Sequence, residues 1–128
     1  MIDFDSVGAG RAKVEDSTAD MNLLQRLLDV TATMKLPVTP MDIDREVYSD
    51  SLAFRAFYVP TLTFHSVTGE TIRRLHSGAD NYDALKMDDY YDTYRIAAIF
   101  LAYLDVTLDV HARQGSDSVP PTLQRTPE

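Results

Sequence analysis

Three histidines, at positions 65, 76 and 111, and a total of 20 aspartates and glutamates are the side chains here suited to holding a metal ion or moving protons. The sequence has no cysteine, which excludes disulfides, thiolate zinc sites and thiol nucleophiles. Asp5 closes a short apolar–acidic alternation, so by itself it reads as a polar residue ending a strand, with a metal role as the alternative. His76 lies in a polar stretch four residues before Asp80, where a lone histidine is ordinarily solvated or supports a neighbour. Asp42 and Asp44 alternate as a cation-binding pair would, although a solvated strand edge accounts for them more simply. Asp50 is suited to the N-cap of a helix. Tyr90, Tyr91 and Tyr94 could line a pocket, but at helical spacing they read as core. His111 falls near a helix C-terminus, where its charge suits the macrodipole. The glycines form neither GxGxxG nor a P-loop, so nothing points to a nucleotide.

The elements that must position these residues follow from periodicity. Ile2 to Asp5 alternates as a short strand, Gly8 and Gly10 punctuate a loop, and Ala12 to Glu15 suggests a second short strand. Leu24, Leu27, Leu28, Thr31 and Met34 recur at helical steps, predicting a helix over about 19–35 that Pro37 ends. Met41 to Asp44 reads as a strand and Asp50 to Phe57 as a helical turn. The run Val59-Pro60-Thr61-Leu62-Thr63-Phe64-His65 reads as a buried strand with its proline at the start, where no ladder bond is lost. A polar loop, 66–80, follows. Asp88 or Asp89 then caps a helix from about 89 to 110, with Tyr91, Tyr94, Ala98, Leu101, Leu104 and Leu108 as its expected seam. Alternating strands and helices predict an α/β fold, a layered sheet with helices on it, over residues 1–111. Residues 112–128 are rich in Gln, Ser, Pro and Arg and read as a flexible tail.

Composition narrows the functional classes. A chain of 128 residues with 45% hydrophobic content supplies one domain with a modest core. The net charge of −8 gives no basic face for nucleic acid. No run approaches the ~18 apolar residues of a membrane span, and Met1-Ile2-Asp3-Phe4-Asp5 has neither basic nor apolar signal-peptide regions. Neither nucleic acid nor membrane is therefore expected as a partner.

Ile2-Asp3-Phe4-Asp5-Ser6-Val7-Gly8, then Ser49-Asp50-Ser51-Leu52-Ala53-Phe54-Arg55 with Val59-Pro60-Thr61-Leu62, then Leu75-His76-Ser77-Gly78-Ala79-Asp80-Asn81-Tyr82-Asp83 are three segments that, taken in order, resemble the co-catalytic zinc aminopeptidases of clan MH, the fold shared with glutamate carboxypeptidase and glutaminyl cyclase. Asp3-Phe4-Asp5-Ser6-Val7-Gly8 is similar to the family's N-L-D-x-(hydrophobic)-G strand. Ser49-Asp50-Ser51-Leu52-Ala53-Phe54, followed by Val59-Pro60-Thr61-Leu62, is similar to S-D-H-x-x-F and then G-(I/V)-P with an apolar strand. Here Ser51 replaces the usual histidine and Tyr58 the usual glycine. His76-Ser77-Gly78-Ala79-Asp80-Asn81-Tyr82-Asp83 is similar to H-T-x-x-D-x-x-(D/E). The resemblance covers roughly residues 1–105 and rests on the order and spacing of the segments. It implies a truncated α/β/α layering around a mixed, mostly parallel sheet, that Asp5 and His76 occupy zinc-ligand positions, and that Asp50 and Asp80 support ligands without binding metal. By the same alignment His65 is expected to hydrogen-bond the backbone.

The resemblance also implies what is missing. The family's H-x-D segment and its Glu-Glu pair, which supplies the general base, do not occur in this sequence. A bridged zinc pair takes about five protein ligands, and two hold zinc weakly. The chain is therefore expected to begin in mid-domain, as a split gene, a truncated gene model or an excised fragment would, and to carry no catalytic residue of its own. Two functions compete. One is a zinc metallopeptidase portion that is inactive alone and acts on peptides when completed by a missing N-terminal half. The other is a non-catalytic binding or oligomerisation domain derived from the same fold, in which exposed strand edges favour a homo-oligomer. Relatives are often exported, although no export signal is encoded in this sequence.

Overall fold

The computed structural model describes residues 1–42 and 49–116, with side-chain environments through Leu108. Its elements alternate as expected: β1 (Ile2–Phe4), β2 (Lys13–Val14), α1 (Met21–Met34), β3 (Thr39–Pro40), α2 (Ser51–Arg55), β4 (Leu62–His65) and α3 (Met87–Ser116), with short 3-10 turns at Ile72–Arg74 and Tyr82–Ala84. The fold is α/β. Its four strands form one mixed sheet in the order β1-β4-β2-β3. β1 runs parallel to β4, β2 parallel to β3, and β2 antiparallel to β4.

Local chemistry accounts for the boundaries. The Asp20 carboxylate accepts from the backbone N–H groups of Asn22 and Leu23, both at 3.0 Å, and so starts α1 by satisfying two orphan donors. Leu24, Leu27 and Thr31 form its buried stripe. Lys35 closes the helix in the left-handed conformation, φ 56°. Of the strand expected at 41–44, Met41 and Asp42 follow a strand at Thr39–Pro40, where the Thr39 and Met41 N–H groups bond the Ala12 and Val14 carbonyls, and Ile43 lies outside the described residues. Asp42 instead accepts from the backbone N–H of Ser17 (2.7 Å) and Asp16 (3.1 Å), which holds its carboxyl below the ordinary range. It is a turn staple; Asp44 lies outside the described residues.

The sheet separates apolar from polar side chains by register. Phe4 stands opposite Phe64, and Val14 opposite Phe64 on the other side, so all three point to one face. There Val14 and Phe64 join Leu24 and Leu27 of α1 and Ile96, Phe100 and Leu104 of α3 in a single core, with the partly exposed Phe4 at its margin. Phe64 is the pivot: its ring stacks on Phe4 at 5.1 Å and meets Phe100 edge-on at 6.3 Å. The opposite face is polar, with Asp3 opposite Thr63 and Lys13 opposite His65.

α3 corrects the expected seam. Of the expected seam Leu104 is buried, together with Thr93, Ile96 and Phe100, whereas Tyr91, Tyr94, Ala98, Leu101 and Leu108 are exposed. The helix is apolar on two sides, and hydrophobic spacing alone cannot choose between two such stripes. It also begins at Met87, so Asp88 and Asp89 occupy its first turn, where they complement the dipole, and do not cap it. The backbone of α3 continues to Ser116, past the expected start of the tail at 112. Residues 117–128 and the His111 side chain lie outside the described set.

His65 sets a pH response. It is fully buried, and its Nε2–H donates to the Met41 carbonyl at 2.8 Å, which leaves Nδ1 a bare acceptor without a well-formed hydrogen bond. Burial lowers its pKa below the ordinary histidine value, partly countered by the Met41 backbone and the Glu15 carboxylate. The folded pKa is thus below the unfolded value of about 6.5, and the unfolded chain binds more protons in the interval between them. Stability is expected to be flat above about pH 7 and to fall as the pH drops below about 6.5, levelling off beneath the folded pKa. Urea midpoints across this range should slope in the native chain and slope less in His65→Gln. Equal slopes would remove His65 as the cause.

Candidate functional site

The C-terminal ends of the parallel pair β1 and β4 carry the loops that hold the sequence-assigned residues. Asp5 directly follows β1; its N–H donates to the Phe64 carbonyl at 3.0 Å and extends the ladder by one bond. Ser6 then turns the chain with φ 57°, a left-handed backbone unusual for a serine, and its hydroxyl donates to the Asp5 carboxylate at 2.9 Å. Asp5 is half-buried.

Ser66, directly after β4, ties the two loops together. Its hydroxyl donates to the Ser6 carbonyl at 2.8 Å and accepts from the Ala9 N–H at 2.8 Å, while its own N–H reaches the same Ser6 carbonyl at 3.2 Å. The side chain is fully buried. Nothing in the sequence pattern singled it out, since a serine opening a polar loop is commonplace; only the partner loop reveals its role. The far end of the 66–86 segment is fixed as well, because Lys86 N–H donates to the Gly8 carbonyl at 2.9 Å. Gly8 is required there. Its φ is 96°, and a Cβ would lie 2.9 Å from the Leu85 side chain and 3.3 Å from Tyr90.

His76 stands within this doubly anchored segment. It is exposed, its backbone is left-handed at φ 60°, and its N–H donates to Asp80 Oδ2 at 3.0 Å. The Asp80 carboxylate thereby fixes the turn that presents the imidazole, with help from the Asp80 N–H to the Ser77 carbonyl at 3.0 Å. A non-glycine residue in this region of φ/ψ is held against its preference by its surroundings. Both Asp5 and His76 are thus set by a left-handed residue, Ser6 in one case and His76 itself in the other.

The site residues are not all brought into contact. Asp80 meets His76, but no hydrogen bond joins Asp5 to His76, and Asp50 bonds to neither. Asp50 occupies the N-cap position of α2 without a side-chain capping bond. Next to it, Ser51 is fully buried and its hydroxyl pairs with that of Ser49. Among the described residues no group of three or more His, Asp or Glu is arranged to hold a metal ion. One carboxylate and one imidazole do not make a zinc centre, which takes four ligands in a structural site or three and a water in a catalytic one.

Tyr58 links the backbone to the sequence pattern. It is 95% exposed, and its φ of 59° lies where glycine is favoured. The left-handed backbone costs a non-glycine residue roughly 1–2 kcal/mol, and glycine returns part of that as unfolded-chain entropy. Tyr58→Gly is expected to stabilise the protein by about 0.5–1 kcal/mol, read as a higher urea midpoint at unchanged slope. No gain would show that the turn at 58 carries no strain.

Comparison with family models, with curated proteins and with solved structures gave no match.

Proposed function

We propose that the chain is the C-terminal portion of a zinc aminopeptidase-type hydrolase domain, a truncated α/β/α fold, and that Asp5 and His76 are its contribution to a metal centre. The observation that supports this reading is their common address. Both hang from the C-terminal ends of parallel neighbours β1 and β4, on loops joined through Ser66 and Gly8. That end of a parallel pair is where α/β sheets bind ligands. The glycine-favouring backbone at Tyr58 and the Asp80 support of His76 agree with the motif positions assigned from the sequence.

In this reading the chain binds and positions; it does not supply the base. A bound zinc would activate water for attack on a peptide carbonyl. The remaining donors and the general base must come from outside the described residues, in an H-x-D segment and a Glu-Glu pair. Peptide is the substrate class of the completed domain. A second reading, a non-catalytic binding domain on the same fold, is favoured by the unpaired edge of β1 and the exposed apolar stripe of α3.

The test is zinc content after dialysis, with activity on an aminoacyl chromogenic substrate. The chain alone should hold substoichiometric zinc and show no turnover. Mixing with a polypeptide that carries the two absent segments should raise zinc to stoichiometry and yield activity. Stoichiometric zinc in the chain alone that survives both Asp5→Asn and His76→Ala would overturn the assignment.

A further inference from the structure

Among the described residues β1 forms one edge of the sheet, with β4 on one side and no strand on the other. The bonds from Leu62 N–H to the Met1 carbonyl and from Asp5 N–H to the Phe64 carbonyl mark the odd-numbered residues as those facing β4. The alternation of a strand therefore turns the N–H and C=O groups of Ile2 and Phe4 outward. An open edge of this kind accepts an additional strand.

An apolar groove of about 380 Å³ lies beside that edge, lined by Phe4, Val7, Tyr94, Ala97, Ala98 and Leu101. Phe4, 42% exposed, belongs to both features: its backbone is the edge and its ring is a wall of the groove. The exposed stripe of α3 supplies the opposite wall. A strand paired with β1 would lay its groove-side residues against these six side chains.

Charge selects the occupant. In an antiparallel pairing of two copies that keeps both apolar faces together, the registers centred on Asp3 or Phe4 set Asp3 against Asp3, or Asp3 against Asp5. Like charges directly opposite one another destabilise a ladder, and a net charge of −8 on each copy adds repulsion. A segment that alternates apolar and basic residues reverses both effects. Its cations meet Asp3 and Asp5, and its apolar side chains meet Phe4 and the groove.

We infer that the β1 edge and the β1–α3 groove form one docking surface for an extended segment of another polypeptide, alternating apolar and basic residues, which adds a fifth strand to the sheet. The inference rests on the strand edge, the groove and their charge; it shares only Asp5 with the metal reading, and Asp3, which that reading does not use, carries the test. It is tested on the full chain with two short peptides, one alternating valine with lysine and the other valine with glutamate. Calorimetry should give about tenfold or greater preference for the lysine peptide at low salt, declining as salt is added. Hydrogen exchange should show new protection at the amides of Ile2 and Phe4. Asp3→Lys should reverse the peptide preference. Ala98→Trp, at an exposed position, should weaken binding of the lysine peptide by filling the groove, and it decides the matter if Asp3→Lys does not fold. Absence of binding, equal affinity for the two peptides, protection away from β1, or self-association that protects Ile2 and Phe4 without peptide would each overturn the proposal.

Discussion

Phe64→Ala is expected to destabilise the protein by about 3–5 kcal/mol, a large share of the roughly 5–15 kcal/mol that holds a typical domain folded. Phe64 is fully buried on the central strand β4 and is the aromatic that both Phe4 and Phe100 contact. Its removal leaves a cavity between the sheet and α3 that β4, hydrogen-bonded on both sides, cannot collapse to fill. Phe4→Ala is the control. Its ring stacks on the same residue but is partly in water, so its loss should be clearly the smaller of the two. Urea unfolding of the two variants measures the difference. A Phe64→Ala loss below about 1.5 kcal/mol would mean that the core is centred elsewhere.

The second large effect concerns the proposed metal centre. In a domain completed by the missing segments, His76→Ala should abolish stoichiometric zinc binding, since it removes a ligand. Asp80→Ala should weaken zinc binding by about 10–100-fold, the usual consequence of losing a group that orients a ligand. The Asp80 carboxylate acts through the His76 backbone N–H, so Asp80→Asn, which keeps an acceptor oxygen, should recover part of the affinity. Asp80 is exposed, and folding stability should change little in either variant. Competition titration with a chelator gives the affinities. Unaltered zinc affinity in Asp80→Ala would detach His76 from the metal.

The sequence pattern revealed the elements better than it revealed their orientation. The alternation in Ile2–Phe4, the β-branched run ending at His65 and the leucine spacing of α1 each allow one reading, because each has a single apolar face or a fully buried strand. α3 allows two. Ile96 and Phe100 compete with Tyr94, Leu101 and Leu108, the expected Leu104 is core, and only the position of Phe64 shows which stripe the rest of the core follows. Asp42 illustrates another limit: its partners, the Asp16 and Ser17 N–H groups, lie 26 and 25 residues away, so its role as a staple has no local signature. At the candidate site, the backbone bond expected of His65 is present. The role of Ser66 and the left-handed backbone of Ser6 and His76 had no sequence signal, because a conformation imposed by tertiary bonds leaves no trace in residue type.

The two-point anchorage of residues 66–86 has an evolutionary consequence. A segment tied to one platform at both its beginning and its end can lengthen between those ties at little thermodynamic penalty, roughly 0.6 kcal/mol for each doubling of its length. Descendants of this architecture are therefore free to diversify the rim above the sheet by insertion around Gly69, where the backbone is uncrowded and which lies outside the His76–Asp80 turn, while the platform beneath stays unchanged.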